Sequence, residues 1–199
     1  MPYRFADIID RYLLSGSEFT RRLRTVRPEQ WSAPTPCVEW DVRHLVNHMA
    51  RGNLNYISLL DGGSAADFIR LRDEDALGGD PVSAYIRSMR QCAAAFRRPG
   101  ALQQILDHPL SPMTGEQALA VRTTDATIHT WDLARALNAP EGLDPGLVAW
   151  IEDHLAEIYA GLAESPVSPD TTHRFFAAPG TPLPAGEARQ ARLLRLMGR

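Results

Sequence analysis

The chain has 199 residues, enough for one domain with a full hydrophobic core. Hydrophobic residues make up 44%, charged residues 23% and the net charge is −3, so the composition is globular and lacks the basic surplus of a nucleic-acid binder. No apolar run approaches membrane-spanning length, and the charged N-terminus lacks the apolar region of a signal peptide. The two cysteines, Cys37 and Cys92, form no disulfide framework, so a cytoplasmic protein with reduced thiols is expected.

Hydrophobic periodicity predicts that the first part of the chain is helical. The first two helices are expected over Phe5–Thr25 and Val42–Leu60, on either side of a proline-rich loop, with Asp41 as the N-cap of the second. The polar, glycine-containing stretch 61–80 predicts a long crossover connection to the third helix.

The rest of the chain continues the helical pattern. Three helices are predicted over Pro81–Phe96, Glu116–Leu137 and Pro145–Leu162, followed by a short last helix over Glu187–Met197. The stretch 101–115 between the third and fourth helices predicts either a short strand or irregular structure.

Taken together, these elements predict an all-α fold. We expect a four-helix bundle with a long crossover connection between its second and third helices and additional C-terminal helices. The whole chain, residues 1–199, is interpreted as one domain, in which residues 165–199 form a proline-rich wrapping segment and a short helix.

Two of the predicted helices carry polar side chains four residues apart. These pairs are His44 with His48 on the second helix and Asp125 with His129 on the fourth. Residues at this spacing share a helix face, and two facing helices can direct such groups at one metal ion. Spacing alone leaves open that His48 is a core histidine and that Asp125 lies on a solvated face.

Longer motifs surround both pairs. The first, TPCVEWDVRHLVNHM, resembles the P-C-x-x-W-[ST/D]-V-x-x-L-x-x-H segment of the DinB-like (YfiT-like) metal-binding helix bundles. The second, TTDATIHTWDLARALNAP, resembles the signature of one branch, an acidic residue, three spacers and H-x-W-D-L-A-R-A. That branch is related to the N-terminal domain of mycothiol-dependent maleylpyruvate isomerase. Because RRPGALQQIL and LLRLMGR also match, the resemblance covers nearly the whole chain.

The resemblance implies three protein ligands for one divalent metal ion, namely His48, Asp125 and His129, with water in the remaining positions. Zinc is expected first, and nickel, iron or manganese would also suit imidazole and carboxylate ligands. The family usually has Glu where this chain has Asp125, which predicts a metal nearer the fourth helix or a carboxylate that binds through water. His44 replaces an acidic residue and is expected in the first helical turn. The alternatives are a fourth metal ligand or a place in the surroundings of the site.

Trp131 and Asp132, which follow His129, are also expected around the site. Asp132 lies three residues further on and could accept a hydrogen bond from the imidazole, which would fix its tautomer. The alternative is an ion pair with Arg135 or Arg122. Trp131 is expected in the core or in the wall of a pocket.

Several isolated residues complete the set of candidates. Cys37 is interpreted as a buried loop thiol unless a base lies beside it, and Trp40 as core or pocket wall. Asn53, about a turn and a half after His48, is expected to face the pocket. The remaining histidines are expected to be superficial or structural: His108, His154 and His173.

The function implied by the resemblance is that of a bacterial metal-dependent thiol S-transferase or isomerase, in which the metal activates the thiolate of mycothiol or bacillithiol. The alternatives are a metal-dependent hydrolase and a non-catalytic metal-binding or stress-response bundle. The expected partners are a small thiol and an electrophilic substrate, without nucleic acid or membrane, and a homodimer is left open. Under 40 residues follow the fifth predicted helix, so the second domain and the specific reaction of the isomerase are not carried over.

Overall fold

The computed structural model describes residues 5, 7–162 and 186–199, and these residues confirm the predicted all-α class. One two-stranded antiparallel sheet accompanies the helices, with β1 at Ile105–Leu106 paired with β2 at Met113–Thr114. The helices are α1 Ile8–Leu23, α2 Val42–Leu60, α3 Ala65–Leu71, α4 Pro81–Phe96, α5 Gly115–Ala136, α6 Pro145–Ile158 and α7 Arg189–Leu196. None of the described helices is both long and apolar enough to cross a membrane.

Four of these helices form the core. Helix α1 packs mainly against α5 and α2 mainly against α4, while α1 also contacts α4 and α2 contacts α5. Helices α6 and α7 pack against each other, and α6 also lies against α5. This arrangement is the four-helix bundle with added C-terminal helices that the sequence predicts. The expected wrapping segment 165–184 lies outside the described residues.

Side-chain caps explain where the long helices begin. Asp41 accepts a hydrogen bond from the backbone N–H of His44, and Asp144 accepts one from that of Leu147. These side chains satisfy amide groups that a helix N-terminus leaves without partners. Helix α1 begins three residues later than predicted, since Asp7 at its start has a left-handed φ of 58°.

The connection between α2 and α4 differs from the prediction, because it contains the short helix α3. Ser64 and Asp67 form a reciprocal capping box at its start, in which each side chain accepts a hydrogen bond from the other residue's backbone N–H. Phe68 is buried, so α3 is anchored on its apolar side. The connection still leads from α2 to α4, but it is not wholly irregular.

A buried polar network ties the four core helices together at Asn53. The Asn53 side-chain oxygen accepts hydrogen bonds from Tyr12 Oη at 2.9 Å and from Arg122 Nε at 3.0 Å. Its amide nitrogen donates to Ser88 Oγ at 3.0 Å. The expectation that Asn53 faces the pocket is therefore corrected: its amide links α1, α2, α4 and α5 inside the bundle.

Candidate metal centre

Helices α2 and α5 bring the three predicted ligands together. His48 Nε2 lies 3.3 Å from Asp125 Oδ2, and His129 Nε2 lies 3.1 Å from Asp125 Oδ1. One ligand atom from each residue falls within 4.8 Å of the other two. Ligands at about 2.1 Å from a tetrahedral zinc ion are separated by roughly 3.4 Å, so the donor set fits such an ion. That these residues bind a metal stays a prediction.

The carboxylate of Asp125 is shared with a buried arginine. Arg122 is 2% exposed and donates to Asp125 Oδ2 and to the backbone carbonyl of Met49. Gly52 gives this guanidinium its room, because a Cβ atom at that position would lie 2.9 Å from Arg122 Cζ. With Oδ2 held by Arg122, Oδ1 is the oxygen of Asp125 that is better placed to bind a cation beside His129.

Electrostatics inside the cluster favour charged forms of two of its members. Burial would raise the pKa of Asp125, but His129, His48 and Arg122 together lower it well below its ordinary value. Burial would lower the pKa of His129, but Asp125 and Asp132 outweigh that effect and raise it well above the ordinary value. For His48, burial prevails and lowers the pKa. A metal ion would therefore have to displace a proton from His129.

A chain of contacts behind His129 fixes its orientation. His129 Nδ1 lies 2.8 Å from Asp132 Oδ2, and the carboxylate can only accept, so Nδ1 carries the hydrogen. Nε2 therefore faces Asp125 Oδ1, and it is the nitrogen that would bind a metal once its proton is displaced. Asp132 is fully buried and also accepts from Arg199, at 2.6 Å through Oδ1 and 2.8 Å through Oδ2. The ion pair considered with Arg135 or Arg122 is thus made with Arg199 instead.

Cys37 lies within the same group and has ionisable neighbours. Its sulfur is 3.8 Å from His129 Nδ1, 3.4 Å from Asp132 Oδ2 and 3.3 Å from Arg199 Nη2. Cys37, His129 and Asp132 form a second set of potential metal ligands. Because the Arg199 guanidinium already contacts both Cys37 and Asp132, we interpret this second set as an ion-pair network and not as a metal site.

The aromatic surroundings differ in part from expectation. Trp40 covers the site, with its ring centroid 4.8 Å from that of His48 and 6.0 Å from that of His129. Trp131 is buried and its ring contacts the Arg135 guanidinium, 5.2 Å away. Among the described residues, no ring contact or hydrogen bond joins Trp131 to His48, Asp125 or His129.

His44 is placed away from the ligands. Its imidazole is exposed at the start of α2, where Nδ1 lies 2.8 Å from Asp41 Oδ1. Among the described residues it belongs to neither set of potential ligands. His44 thus lies in the first turn of α2, beside its N-cap Asp41.

A pocket opens next to His48 and Asp125. It has an empty volume of ≈ 570 Å³, which includes the space at its mouth. The further lining residues used below are Gly52, Tyr56, Phe68, Arg72, His108, Leu110 and Arg122.

Sequence reasoning missed three residues here. His108 was expected to be superficial or structural, yet it is 3% exposed and lines the pocket. Arg122 entered only as a partner for Asp132, and Tyr56 was not assigned to the pocket. The one signal available was helical spacing, since Gly52 and Tyr56 follow His48 at four and eight residues along α2.

Comparisons with known proteins identify relatives of this chain. Residues 13–134 match the sequence profile described as the mycothiol maleylpyruvate isomerase N-terminal domain. Two Mycobacterium tuberculosis proteins, Rv0738 (strain ATCC 25618 / H37Rv) and MT0763 (strain CDC 1551 / Oshkosh), are each 33% identical over 129 residues. The match covers 65% of this chain and 66% of theirs, so the chain spans just under two thirds of the length of these relatives.

One solved structure shares the fold of this chain. The crystal structure of the mycothiol-dependent maleylpyruvate isomerase superposes with a TM-score of 0.59 and 14% sequence identity. The superposition covers 78% of this chain and 70% of that chain. At this level of identity the likeness concerns the fold alone.

Proposed function

Since the chain belongs to the family of mycothiol maleylpyruvate isomerase N-terminal domains, within the DinB-like superfamily, we propose that it is a metal-dependent thiol S-transferase or isomerase. The observation that carries this proposal is the convergence of His48, Asp125 and His129, whose ligand atoms lie within 4.8 Å of one another. Three protein ligands are typical of catalytic zinc sites, which keep a position open for a substrate.

The metal would supply the activation of the thiol, because a divalent cation lowers the pKa of a bound thiol and holds it as the nucleophilic thiolate. We propose zinc as that ion and a low-molecular-weight thiol of the mycothiol or bacillithiol type as the co-substrate. Imidazole and carboxylate donors suit zinc, although nickel, iron and manganese share this preference.

The residues of the chain would position the reactants. Asp132 keeps the Nδ1 hydrogen of His129 in place and so directs Nε2 at the metal position. Trp40 shields His48 and His129 on one side, while the pocket beside His48 and Asp125 offers space for an electrophile. Trp40 and the pocket walls would exclude water, which would otherwise compete with the thiol for the open position on the metal.

The test is spectroscopic and uses cobalt in place of zinc. Cobalt bound to sulfur gives a strong charge-transfer band in the near ultraviolet. We expect this band when mycothiol, or a simple surrogate thiol, is added to the cobalt-loaded protein. The band should strengthen as the pH rises toward the thiol pKa of about 8.5, since the ligand binds as thiolate.

Two histidines on α2 give a matched pair of variants. His48→Ala should abolish the band, whereas His44→Ala, one turn earlier and exposed, should leave it unchanged. A cobalt spectrum that responds to no thiol would contradict the proposal and favour a metal that activates water or only holds the helices together.

A further inference from the structure

The segment between α2 and α4 closes one side of the pocket beside the candidate metal centre. Phe68 and Arg72 of this segment line the pocket together with residues of α2 and α5. The Phe68 ring centroid lies 5.8 Å from that of Tyr56 and 5.3 Å from that of His108, so Phe68 is in contact with both rings. Tyr56, His108 and Leu110 are each at most 4% exposed. A ligand can therefore reach this part of the pocket only if a piece of its wall moves.

The piece of the wall with the fewest buried side chains is the segment itself. Within residues 64–77, Phe68 and Leu77 are the buried side chains, and the others are half-buried or exposed. Helices α2 and α5 instead bury more than half of their residues. Elements with few buried contacts open locally at a lower free-energy cost than the helices of a core. We call residues 64–77 the α3 lid.

Four side chains on one face of α2 hold the α3 lid by hydrogen bonds to the backbone. They follow one another at intervals of four residues and are Arg43, Asn47, Arg51 and Asn55. Asn47 accepts from the Ala76 N–H at 2.8 Å and donates to the Glu74 carbonyl at 3.2 Å. Arg51 donates to the carbonyls of Glu74 and Asp75, each at 3.2 Å.

The outer two members of this row complete the attachment. Arg43 donates to the Gly78 carbonyl at 3.2 Å. Asn55 donates to the Phe68 carbonyl, also at 3.2 Å. Apart from Asn55, the members of the row are not buried, so water can take over their hydrogen bonds when the α3 lid leaves α2. Because such an exchange of partners has a small net cost, the attachment is reversible.

Glycines flank the α3 lid at both ends. Gly62 and Gly78 have φ angles of 92° and 58°, in the left-handed region that glycine tolerates best. A Cβ atom at either position would have no neighbour within 4 Å, so no close packing restrains the backbone there. Two such positions, one before α3 and one after it, can absorb the dihedral changes of a hinge motion.

We propose that the α3 lid swings outward about Gly62 and Gly78, lifts the Phe68 ring away from Tyr56 and His108, and so admits the ligand to the pocket. This inference deepens the proposed function, on which it rests in taking the pocket as the substrate side of the metal centre. The row on α2 then sets how often the α3 lid opens, because its hydrogen bonds exist only in the closed state.

Hydrogen exchange of the full chain measures the opening. The amides of Phe68 and Arg72 are bonded to the carbonyls of Ser64 and Ile69 inside the α3 lid. A helix of 7 residues is not stable alone, so these amides exchange once the α3 lid leaves α2. Asn47→Ala should speed their exchange about tenfold, since two hydrogen bonds of the closed state are lost without any change of charge.

A second amide side chain provides the matched control. Gln190 on α7 also makes two backbone hydrogen bonds, accepting from the Leu143 N–H and donating to the Glu141 carbonyl, each at 2.9 Å. Gln190→Ala therefore removes the same two kinds of bond at a place that does not touch the α3 lid. Exchange of the Phe68 and Arg72 amides should stay as in the wild type.

Chemical modification of His108 measures whether the opening leads to the pocket. Burial lowers the pKa of His108 to about 4, so at pH 7 the ring is neutral, which is the form that diethyl pyrocarbonate attacks. We expect the rate of His108 carbethoxylation, followed by mass spectrometry, to rise in Asn47→Ala by the same factor as the amide exchange. His154 on α6 is the internal reference and should react equally in Asn47→Ala and the wild type.

The outcomes separate the α3 lid from the reaction. Unchanged exchange of the Phe68 and Arg72 amides in Asn47→Ala would overturn the inference. Faster exchange with an unchanged rate at His108 would overturn it as well, because the opening would then not be the entrance to the pocket. Failure of the cobalt–thiol band with both rates raised would instead reject the proposed function and leave the α3 lid in place.

Discussion

At the scale of single residues, the decisive contacts are those that hold His129. One imidazole nitrogen faces Asp125 and the other faces Asp132, which is itself held by Arg199 from the C-terminal end of the described chain. A ligand restrained through its second nitrogen loses little freedom when a metal binds, since its orientation is already set. The affinity of the site should therefore depend on Asp132 as well as on the ligands.

Replacing Asp132 tests this dependence. Asp132→Asn removes the charge that holds the Nδ1 hydrogen of His129, and we expect the zinc affinity to fall by about ten- to a hundredfold. Competition with a chromogenic chelator would measure it. Asp153→Asn, which breaks a surface ion pair with Arg189, is the control and should leave the affinity unchanged. Equal affinities of Asp132→Asn and the wild type would refute the role of Asp132.

Some residues of this site could be predicted from the sequence and others could not, for a physical reason. His48, Asp125 and His129 could be assigned because each belongs to a motif of neighbouring residues with fixed spacing. Arg199 lies 67 residues from Asp132 in the chain, and no local pattern links them. Its contact depends on how α7 packs, which is a property of the tertiary structure and not of either segment.

At the scale of elements, the close approach of α2 and α5 builds the centre. Helix α2 offers Gly52 where α5 inserts the guanidinium of Arg122, so the charged group lies between the helices. There it contacts Asp125 and the Met49 carbonyl, and a buried charge needs such partners. Because Gly52 has no side chain, Arg122 fits between the helices, and the geometry of the ligands depends on this fit.

Gly52→Ala should consequently destabilise the protein. Alanine normally favours a helix over glycine by about 1 kcal/mol, but here its Cβ would meet Arg122 Cζ at 2.9 Å. We expect a net loss of about 2 kcal/mol in the free energy of unfolding, because overpacking and a displaced buried charge outweigh the propensity gain. Urea denaturation would measure it.

A second glycine provides the comparison for that experiment. Gly79 lies in the connection before α4, and an added Cβ there would have no neighbour within 4 Å. Gly79→Ala should change stability by no more than about 0.5 kcal/mol. A Gly52→Ala protein as stable as the wild type would mean that Arg122 can move without cost.

Among the elements, the sequence predicted the long helices and the short last helix but not the short helix α3. Helices α2 and α4 have the predicted bounds, since Asp41 and Pro81 mark their starts clearly. Helix α3 has 7 residues, which are too few to show a helical hydrophobic period within a polar stretch of sequence. Ser64 and Asp67, three residues apart, were the signal that could have located it.

At the scale of the whole molecule, a buried neutral histidine makes stability depend on pH. Burial holds the pKa of His108 at about 4 in the folded protein, whereas an unfolded histidine has a pKa of about 6.5. Between these values the unfolded chain binds more protons than the folded one. The contribution of His108 is therefore fully present above pH 6.5 and is lost progressively as the pH falls toward about 4.

His108→Gln makes this contribution measurable. From the two pKa values, His108 should account for roughly 2 kcal/mol of the stability lost between pH 7 and pH 5. The fall between these pH values should be smaller by about that amount in His108→Gln. Denaturant titrations of both proteins at the two pH values would show it, and parallel losses would indicate that His108 titrates in the folded state as it does in the unfolded chain.

The pairing of α1 with α5 has a consequence for the synthesis of the protein on the ribosome. Helix α1 ends at Leu23 and its main partner α5 begins at Gly115, so α1 leaves the ribosome well before α5 has been synthesised. At synthesis rates of about 5–20 residues per second, this delay lasts several seconds or more. During that time the apolar face of α1, with Tyr12 and Phe19, has no native partner on α5 to cover it. Chaperones that shield nascent chains would find a binding site on this face.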